Sequence, residues 1–368
     1  MKAFFIGMLR PKKRFKLFST PFIIVGVFVL HFLISMSSHF KSGGFTNFGS
    51  TQSGYKINSE SIQDIEKRLK YPVVMLPNLA SLINATNPKY PLTIHAPYLI
   101  ENPHLCSSVN NLSVLVVVNT ATDHFERRLA IRETWTNDKY YNNLGIVRVV
   151  FLIGKPKNGI IQEIINKEAN QFKDILQGDF ADTYFNLTHK GAMGYKWITE
   201  RCRNAEHILK VDDDFVINMF LYFQKIYRHK SVKNAHVFCD YGTTPVFRDK
   251  RIKWFVSENQ FRGVKNYTNF CRGKFVSIKN DIVPSLYISA SKTPFFKIDD
   301  VLLFGYVMHN VPGLKYQTLY KENMKGEYKS GMDCLKKRQD KCQAIIIHID
   351  DQKQLIDMWS TIVKYFKK

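Results

Sequence analysis

Three consecutive aspartates, Asp212, Asp213 and Asp214, follow an apolar run in the stretch LKVDDDF. Adjacent carboxylates repel one another, so such a cluster is stable only when a cation or several hydrogen-bond donors compensate its charge. Oxygen-rich sites of this kind suit Mg²⁺ or Mn²⁺. Because side chains alternate along a strand, Asp212 and Asp214 are expected on the same side. The triplet predicts a divalent metal site, and the alternative is an acidic loop that caps the following helix.

A second acidic pair, Asp299 and Asp300, lies in the stretch FKIDDVLLFG. Neighbouring carboxylates can have pKa values that move apart, which lets one of them act as a general base. Their position before an apolar stretch is equally typical of helix caps. A histidine is another possible base, but His348 lies in the apolar run AIIIHID, which favours a buried, hydrogen-bonded side chain.

The stretch ERRLAIRETW contains two arginines, Arg128 and Arg132, that share one face of a predicted helix. They follow the first predicted strand, where guanidinium groups can bind a diphosphate or its nucleoside. The alternative interpretation is an ordinary charged helix face.

Continuous apolar runs that alternate with helical patterns must position these groups. Runs of strand length occupy residues 113–118, 147–154 and 207–211, and helical patterns occupy 127–135, 160–175, 190–202 and 215–227. This alternation predicts an α/β fold with a mostly parallel sheet and helices on both faces. Ligands of such sheets bind beyond the carboxyl ends of the strands. The sequence contains neither a Gly-x-Gly-x-x-Gly turn nor a phosphate-loop pattern, which disfavours the common dinucleotide and nucleoside-triphosphate folds.

The N-terminal region predicts a membrane anchor. Six basic residues and no acidic ones lie in residues 1–16, and the uncharged, apolar segment 17–36 follows. Its 20 residues match the length of a membrane-spanning helix, and the basic flank places the N-terminus in the cytosol. A cleaved signal peptide is the alternative. We predict a cytosolic tail (1–16), a transmembrane signal-anchor (17–36), a stem (37–105) and a lumenal catalytic domain (106–368).

Both interpretations of the N-terminus place the rest of the chain in the secretory lumen. Four Asn-x-Ser/Thr triplets, beginning at Asn84, Asn111, Asn186 and Asn266, agree with this location. The six cysteines become candidates for disulfides, and their spacing leaves the pairing open. The net charge of +22 then favours an anionic ligand such as a phosphorylated donor over nucleic acid.

Several stretches, taken in order along the chain, resemble the β1,3-galactosyltransferase and β1,3-N-acetylglucosaminyltransferase family. They are ERRLAIRETW (126–135), FLIG (151–154), DFADTYFNLTHK (179–190), KWITERC (196–202), LKVDDDFVIN (209–218), IDDVLLFG (298–305) and IIIHID (345–350) with Trp359. The resemblance implies an inverting, metal-dependent Golgi enzyme with a GT-A fold, anchored in the membrane as a single-pass type II protein.

The resemblance also implies a reaction. Galactose, or an N-acetylhexosamine, would pass from UDP-galactose or UDP-N-acetylglucosamine to a hydroxyl of a glycan on protein or lipid, in β1,3 linkage. Asp212 and Asp214 would bind Mn²⁺ or Mg²⁺, and Asp300, beside Asp299, would be the base. The residues implied to contact the donor are Arg128, Arg132, Asp182, Lys190, Asp212 and Asp213.

The sequence departs from the family pattern at four positions. Gly191 replaces a Thr, Thr268 a Pro, Phe270 a Tyr and Asp299 a Glu. The departures near Thr268 favour the alternative of a non-catalytic, carbohydrate-binding relative. The intact acidic groups favour the transferase.

Overall fold

A central sheet of eight strands organises the described part of the chain, and the acidic triplet lies at the carboxyl end of one of its inner strands. A computed structural model describes residues 60–77, 79–83, 96–141, 143–228 and 234–367. The predicted anchor at 17–36 lies outside these ranges. Within them, no helix is both long enough and apolar enough to cross a bilayer.

The strands follow the apolar runs of the sequence closely. They are β1 Tyr98–Ile100, β2 Leu112–Asn119, β3 Ile146–Lys155, β4 Ile175–Ala181, β5 His207–Asp212, β6 Phe215–Ile217, β7 Val237–Gly242, β8 Phe270–Lys279, β9 Tyr316–Thr318, β10 Met324–Lys325 and β11 Ile346–His348. The large sheet has the order β1-β4-β3-β2-β5-β8-β7-β9, and β10-β11-β6 form a small second sheet.

The central sheet is mixed, whereas the sequence predicted a mostly parallel one. Strands β4, β3, β2 and β5 run parallel to one another. Strand β8 is antiparallel to both β5 and β7, and β1 is antiparallel to β4. The difference arises because β8 enters the sheet after a long loop, without the helical crossover that parallel pairing requires.

Helices cover both faces of the sheet, as predicted. They are α1 Ile62–Lys67, α2 Leu79–Leu82, α3 Phe125–Glu133, α4 Gly159–Phe172, α5 Leu187–Arg201, α6 Met219–Tyr222, α7 Val283–Lys292, α8 Asp299–Val301, α9 Val307–His309, α10 Tyr328–Arg338 and α11 Gln352–Phe366. Strand β2 separates two cores, because Leu115 packs with α5 on one face and Val116 with α3 and α11 on the other. Burial on both faces explains why β2 is apolar at almost every position.

Two predicted helices end or begin differently in the structure. The helix predicted over 160–175 stops at Phe172, where Lys173 takes a left-handed conformation with φ of 57°, and Ile175 already begins β4. The helix predicted over 215–227 begins as strand β6, and the Asn218 side chain then caps α6 by accepting a hydrogen bond from the backbone N–H of Leu221. A π-helix, Phe223–Tyr227, continues α6.

All six cysteines are paired, which fixes the connectivity that the sequence left open. The disulfides are Cys106–Cys202, Cys239–Cys271 and Cys334–Cys342. Residues 58–368 form one compact unit, and β1 and α1 belong to it.

Candidate active site

Strand β5 carries the acidic triplet to the carboxyl edge of the parallel strands. Asp212 is the last residue of β5 and pairs with Asn119 at the end of β2. The backbone N–H of Asp213 donates to the carbonyl of Asn119 at 3.1 Å, which keeps the start of the turn attached to the end of β2. The three carboxylates then point to different partners.

Asp213 is held by side chains of the loop that follows β2. Its Oδ2 accepts a hydrogen bond from Thr120 Oγ1 and contacts His124 Nδ1, both at 2.6 Å. Burial raises the pKa of Asp213, but the hydrogen bonds of His124 and Thr120 outweigh it and the net pKa is lowered. This carboxylate is ionised and already has its partners within the protein.

Asp214 has unused coordination capacity. Its Oδ1 is buried without a hydrogen-bond partner among the described residues, and its Oδ2 lies 3.6 Å from His348 Nε2. Burial and the charge of Asp212 raise the pKa of Asp214. The pairing of β11 with β6 brings His348 opposite Phe215, next to this carboxylate.

His348 is half-buried at the acidic site, which corrects the prediction of a buried structural histidine. Its side chain is 33% exposed. Apolar neighbours in sequence predicted burial, but in the strand they alternate with His348, which faces the triplet instead.

A buried lysine joins the two acidic groups. Lys210 Nζ lies 2.8 Å from Asp212 Oδ1 and donates to the carbonyl of Gly273 at 2.5 Å. Burial lowers the pKa of Lys210, but the charges of Asp212, Asp300 and Asp299 outweigh it, so the net pKa is raised. The ammonium is therefore a fixed positive charge between the triplet and the second pair.

The second acidic pair begins the short helix α8 and faces Gly273 of β8. A Cβ atom at Gly273 would overlap Asp300 Oδ1, so only glycine lets the carboxylate approach this strand. Burial raises the pKa of Asp300, whereas Lys210 and the backbone of Gly273 oppose this effect. Burial and the charge of Asp300 raise the pKa of Asp299 to about 7. The two predicted acidic groups thus belong to one electrostatic site.

Asp182 and Lys190 form a buried pair on the neighbouring loop. Lys190 Nζ lies 3.1 Å from both carboxylate oxygens of Asp182 and donates to the carbonyl of Thr120 at 2.7 Å. Asp182 also accepts a hydrogen bond from the Gly154 N–H at 2.6 Å. The pair connects the ends of β2 and β3, beside the residue that binds Asp213.

Arg128 and Arg132 lie in a buried ionic cluster rather than beside the triplet. Arg128 is fully buried. Its Nη2 donates to the carboxylate of Glu168 at 2.7 Å, and its Nη1 donates to the carbonyl of Ala121 at 2.6 Å. Arg132 binds both Glu168 and Asp174 at 2.7 Å. Their implied contact with a donor stays a prediction. Arg128 holds the loop after β2, and Arg132 connects α3 to Glu168 of α4 and to Asp174 before β4.

Three of the four departures from the family pattern, all except Asp299, lie outside the acidic site. A Cβ at Gly191 would overlap Leu303, and Phe270 is buried against Tyr267. Thr268 Oγ1 lies 3.3 Å from His309 Nδ1. None of these three residues is itself part of the acidic site.

No group of three or more His, Cys, Asp or Glu side chains in the described ranges is arranged to hold a metal ion. The available donors are Asp214, with its unpaired Oδ1, and His348, whereas the metal contact predicted for Asp212, whose Oδ1 lies 2.8 Å from Lys210 Nζ, stays a prediction. A carboxylate and an imidazole suit Mn²⁺, and a bound diphosphate commonly completes such a site. The residues present therefore fit a metal that is shared with a phosphorylated ligand.

Sequence reasoning missed three residues of the site. Lys210 had a detectable signal, since it is the one charged residue within the apolar part of a buried strand. Thr120 and His124 had none, because only the fold brings the loop after β2 to Asp213.

Comparison with known proteins identifies the family. The model of the family described as Galactosyltransferase matches residues 126–318, more than half of the chain. The chain belongs to the galactosyltransferase family. The matched range contains the acidic triplet, the pair at Asp299 and Asp300, and Gly273.

The galactosyltransferases that the chain resembles in sequence are β1,3-galactosyltransferases. Beta-1,3-galactosyltransferase 1 of Mus musculus is 30% identical over 215 residues, which cover 57% of this chain and 64% of that protein. Beta-1,3-galactosyltransferase 2 of Mus musculus is 28% identical over 211 residues, covering 56% of this chain and 49% of that protein. The chain thus spans between about half and two thirds of these relatives.

Among solved structures, the chain is similar to the crystal structure of a glycosyltransferase involved in the glycosylation of the major capsid of PBCV-1. The identity is 12% and the TM-score 0.32, over 67% of this chain and 99% of that one. This likeness is too weak to carry an argument.

Proposed function

We propose that the chain transfers galactose, or an N-acetylhexosamine, from a UDP-sugar to a glycan hydroxyl with inversion, forming a β1,3 linkage. One observation carries the proposal: two acidic groups far apart in sequence converge around the buried ammonium of Lys210. Carboxylates with strongly shifted pKa values near the carboxyl ends of strands are typical of catalytic sites. The convergence favours a transferase over a non-catalytic, carbohydrate-binding relative.

Asp214 and His348 would hold the metal ion, Mn²⁺ or Mg²⁺. When bound, the ion supplies positive charge that stabilises the leaving diphosphate. Asp213, already ionised and held by Thr120 and His124, orients the turn that carries Asp214. Lys190 and Asp182 fix the adjoining loop from the other side.

Asp300 would accept the proton of the acceptor hydroxyl. It is the less buried member of the second pair, and Lys210 together with the Gly273 backbone favours its ionised form. The acceptor oxygen attacks the anomeric carbon from the face opposite the nucleotide, the bond to the diphosphate breaks, and an α-linked donor yields a β product. Asp299, whose pKa is raised to about 7, keeps the local negative charge low below that pH.

The protein would act in the Golgi lumen, anchored by residues 17–36. Three disulfides support an oxidising compartment. Asn111 and Asn266, which begin two of the glycosylation triplets, are exposed.

The test is UDP release by the full chain with a panel of UDP-sugars, a mixture of glycan acceptors, and either Mn²⁺ or EDTA. We expect release from one donor that requires the metal and increases with acceptor. Absence of release from every donor, by protein with an intact thermal transition, would contradict the proposal.

A further inference from the structure

Three exposed aromatic side chains lie together at the rim of the acidic site. Tyr184, Phe185 and Trp254, which we call the aromatic platform, are 41%, 50% and 37% exposed. Among the described residues, only one other large aromatic side chain, Tyr320, is as exposed as these. Clustered exposed aromatic surface of this kind commonly marks a binding site.

The platform is held in place by contacts between its members. Trp254 Nε1 donates to the Tyr184 hydroxyl at 2.9 Å, and the rings of Tyr184 and Phe185 are 5.8 Å apart, edge to face. These contacts join the loop between β7 and β8 to the loop after β4. The ring faces are preorganised, so a ligand that covers them pays little ordering cost.

The platform adjoins the segment that leads into Asp299 and Asp300, because Lys297, two residues before Asp299, lies 5.2 Å from the ring centre of Phe185. Tyr184 is two residues from Asp182, and burial together with the charges of Asp299, Asp300 and Asp212 raises its pKa to about 12. A sugar resting on the platform therefore lies within the electrostatic reach of the proposed base. The C–H face of a pyranose ring is apolar and packs on aromatic rings.

Two lysines frame the platform. Lys253 Nζ is 4.8 Å from the ring centres of both Tyr184 and Trp254, and Lys297 Nζ is 5.2 Å from that of Phe185. Neither ammonium has a carboxylate within 4 Å in the part of the chain that the structure describes. The surrounding segment 245–265 has six basic and two acidic residues. The charge of this rim is complementary to an anion.

We propose that the aromatic platform binds the acceptor, and that this acceptor is a glycan carrying a carboxylate or a sulfate. The sugar ring stacks on the platform while its anionic group contacts Lys253 or Lys297. Repulsion by the ionised Asp300 then turns the anionic group outward, which leaves a neutral hydroxyl facing the base. This inference rests on the proposed function and adds the class of acceptor to it.

The test compares paired sugars that differ only in charge, with binding to the full chain followed by nuclear magnetic resonance. The probes are methyl β-glucuronide against methyl β-glucoside, and methyl β-galactoside 6-sulfate against methyl β-galactoside. We expect the anionic member of at least one pair to bind about fivefold more tightly, the upper range for an exposed ion pair. Comparing the two pairs distinguishes carboxylate from sulfate.

Variants with matched controls show which residues cause the sugar binding and which cause the preference for anions. Trp254→Ala should weaken both members of a pair about fivefold, and Tyr320→Ala should not. Replacing both Lys253 and Lys297 by Gln should abolish the preference for the anion without changing neutral binding, and Lys250→Gln, at an exposed position of the same loop as Lys253, should retain it. Equal binding of charged and neutral sugars, or equal effects of Trp254→Ala and Tyr320→Ala, would overturn the inference.

UDP binding, measured on the same samples, separates this inference from the proposed function. Intact UDP binding and release without a preference for anionic sugars contradicts the acceptor assignment alone. Sugar binding on the platform without UDP binding contradicts the proposed transferase.

Discussion

At the scale of single residues, Lys210 controls the ionisation of the site. It contacts Asp212 directly, and its charge opposes the rise in the pKa of both Asp299 and Asp300. A proton-accepting carboxylate in a buried site needs such a compensating charge, because burial alone would keep it protonated.

We predict that Lys210→Met shifts the acidic limb of the pH–rate profile to higher pH. Without the ammonium, the pKa of Asp300 rises further, so the ionised base forms only in more alkaline solution. Transfer should fall by about tenfold or more at pH 6 and recover in part at pH 8.

The matched control is Lys155→Met, which removes a cation from an exposed ion pair with Asp179. An unchanged acidic limb in Lys210→Met, in protein that remains folded, would contradict the assigned role of the ammonium.

We predict that Asp299→Asn stabilises the fold above neutral pH. The pKa of Asp299 is raised in the folded state, so its contribution to stability is fully present below the unfolded value near 3.8 and is lost as the pH passes about 7. The variant removes this loss. Its melting temperature should exceed that of the wild type by at least about 2 °C at pH 8, and the difference should be smaller at pH 5. An equal difference in melting temperature at both pH values would contradict the raised pKa of Asp299.

The chemistry of individual residues was only partly predictable from sequence. The two acidic groups were found, since the repulsion within the triplet requires compensation and the family resemblance singled out the block that contains Asp300. The roles of His348 and Lys210 were not predicted, because they depend on which carboxylates the fold brings beside these two residues. Arg128 and Arg132 were placed on one helix face correctly, but Glu168 and Asp174, 40 and 42 residues further along, occupy their guanidinium groups.

At the scale of elements, the close approach of α8 to β8 forms the second half of the site. Gly273 makes this contact possible, since a side chain there would overlap Asp300 and lie 3.2 Å from Lys210 Nζ. The strand backbone and the helix start thus set the position of the base together.

We predict that Gly273→Ala lowers transfer by about tenfold to a hundredfold by displacing Asp300. Gly242→Ala, in the adjacent strand β7, is the control, because its added Cβ would meet Arg272 only at an ordinary 3.5 Å. Equal activities of the two variants would show that the approach of α8 does not position the base.

Elements with a clear apolar run were predictable, and those defined by long-range pairing were not. Strands β2, β3 and β5 appear within two residues of their predicted bounds. Strand β8 was missed, since Arg272, Gly273 and Lys274 interrupt its apolar residues, and its pairing with β5 and β7 is visible only in the fold. The helix predicted through Ile175 ran past its observed end at Phe172 and into the first residue of β4, because Lys173 ends the helix without a glycine.

At the scale of the whole molecule, disulfides connect parts of the fold that are distant in sequence. Cys106–Cys202 joins the segment before β2 to the end of α5 across 96 residues, whereas Cys334–Cys342 closes a loop of 8. The larger loop restricts the unfolded chain more.

We predict that replacing both Cys106 and Cys202 by Ser lowers the free energy of unfolding by roughly 2 kcal/mol more than replacing both Cys334 and Cys342. Urea unfolding of the two double variants measures this difference. A larger loss for the Cys334–Cys342 pair would contradict the view that chain entropy dominates.

The central claim is that Asp300 accepts the proton in sugar transfer, and Asp300→Asn tests it most directly. Amide substitution removes the base with little change in shape, so donor binding should be preserved. We predict a transfer rate at least about a hundredfold below that of the wild type, with an unchanged affinity for UDP by calorimetry. Asp281→Asn, which alters an exposed ion pair with Lys70, should keep the wild-type rate. Transfer by Asp300→Asn at the wild-type rate would contradict the account.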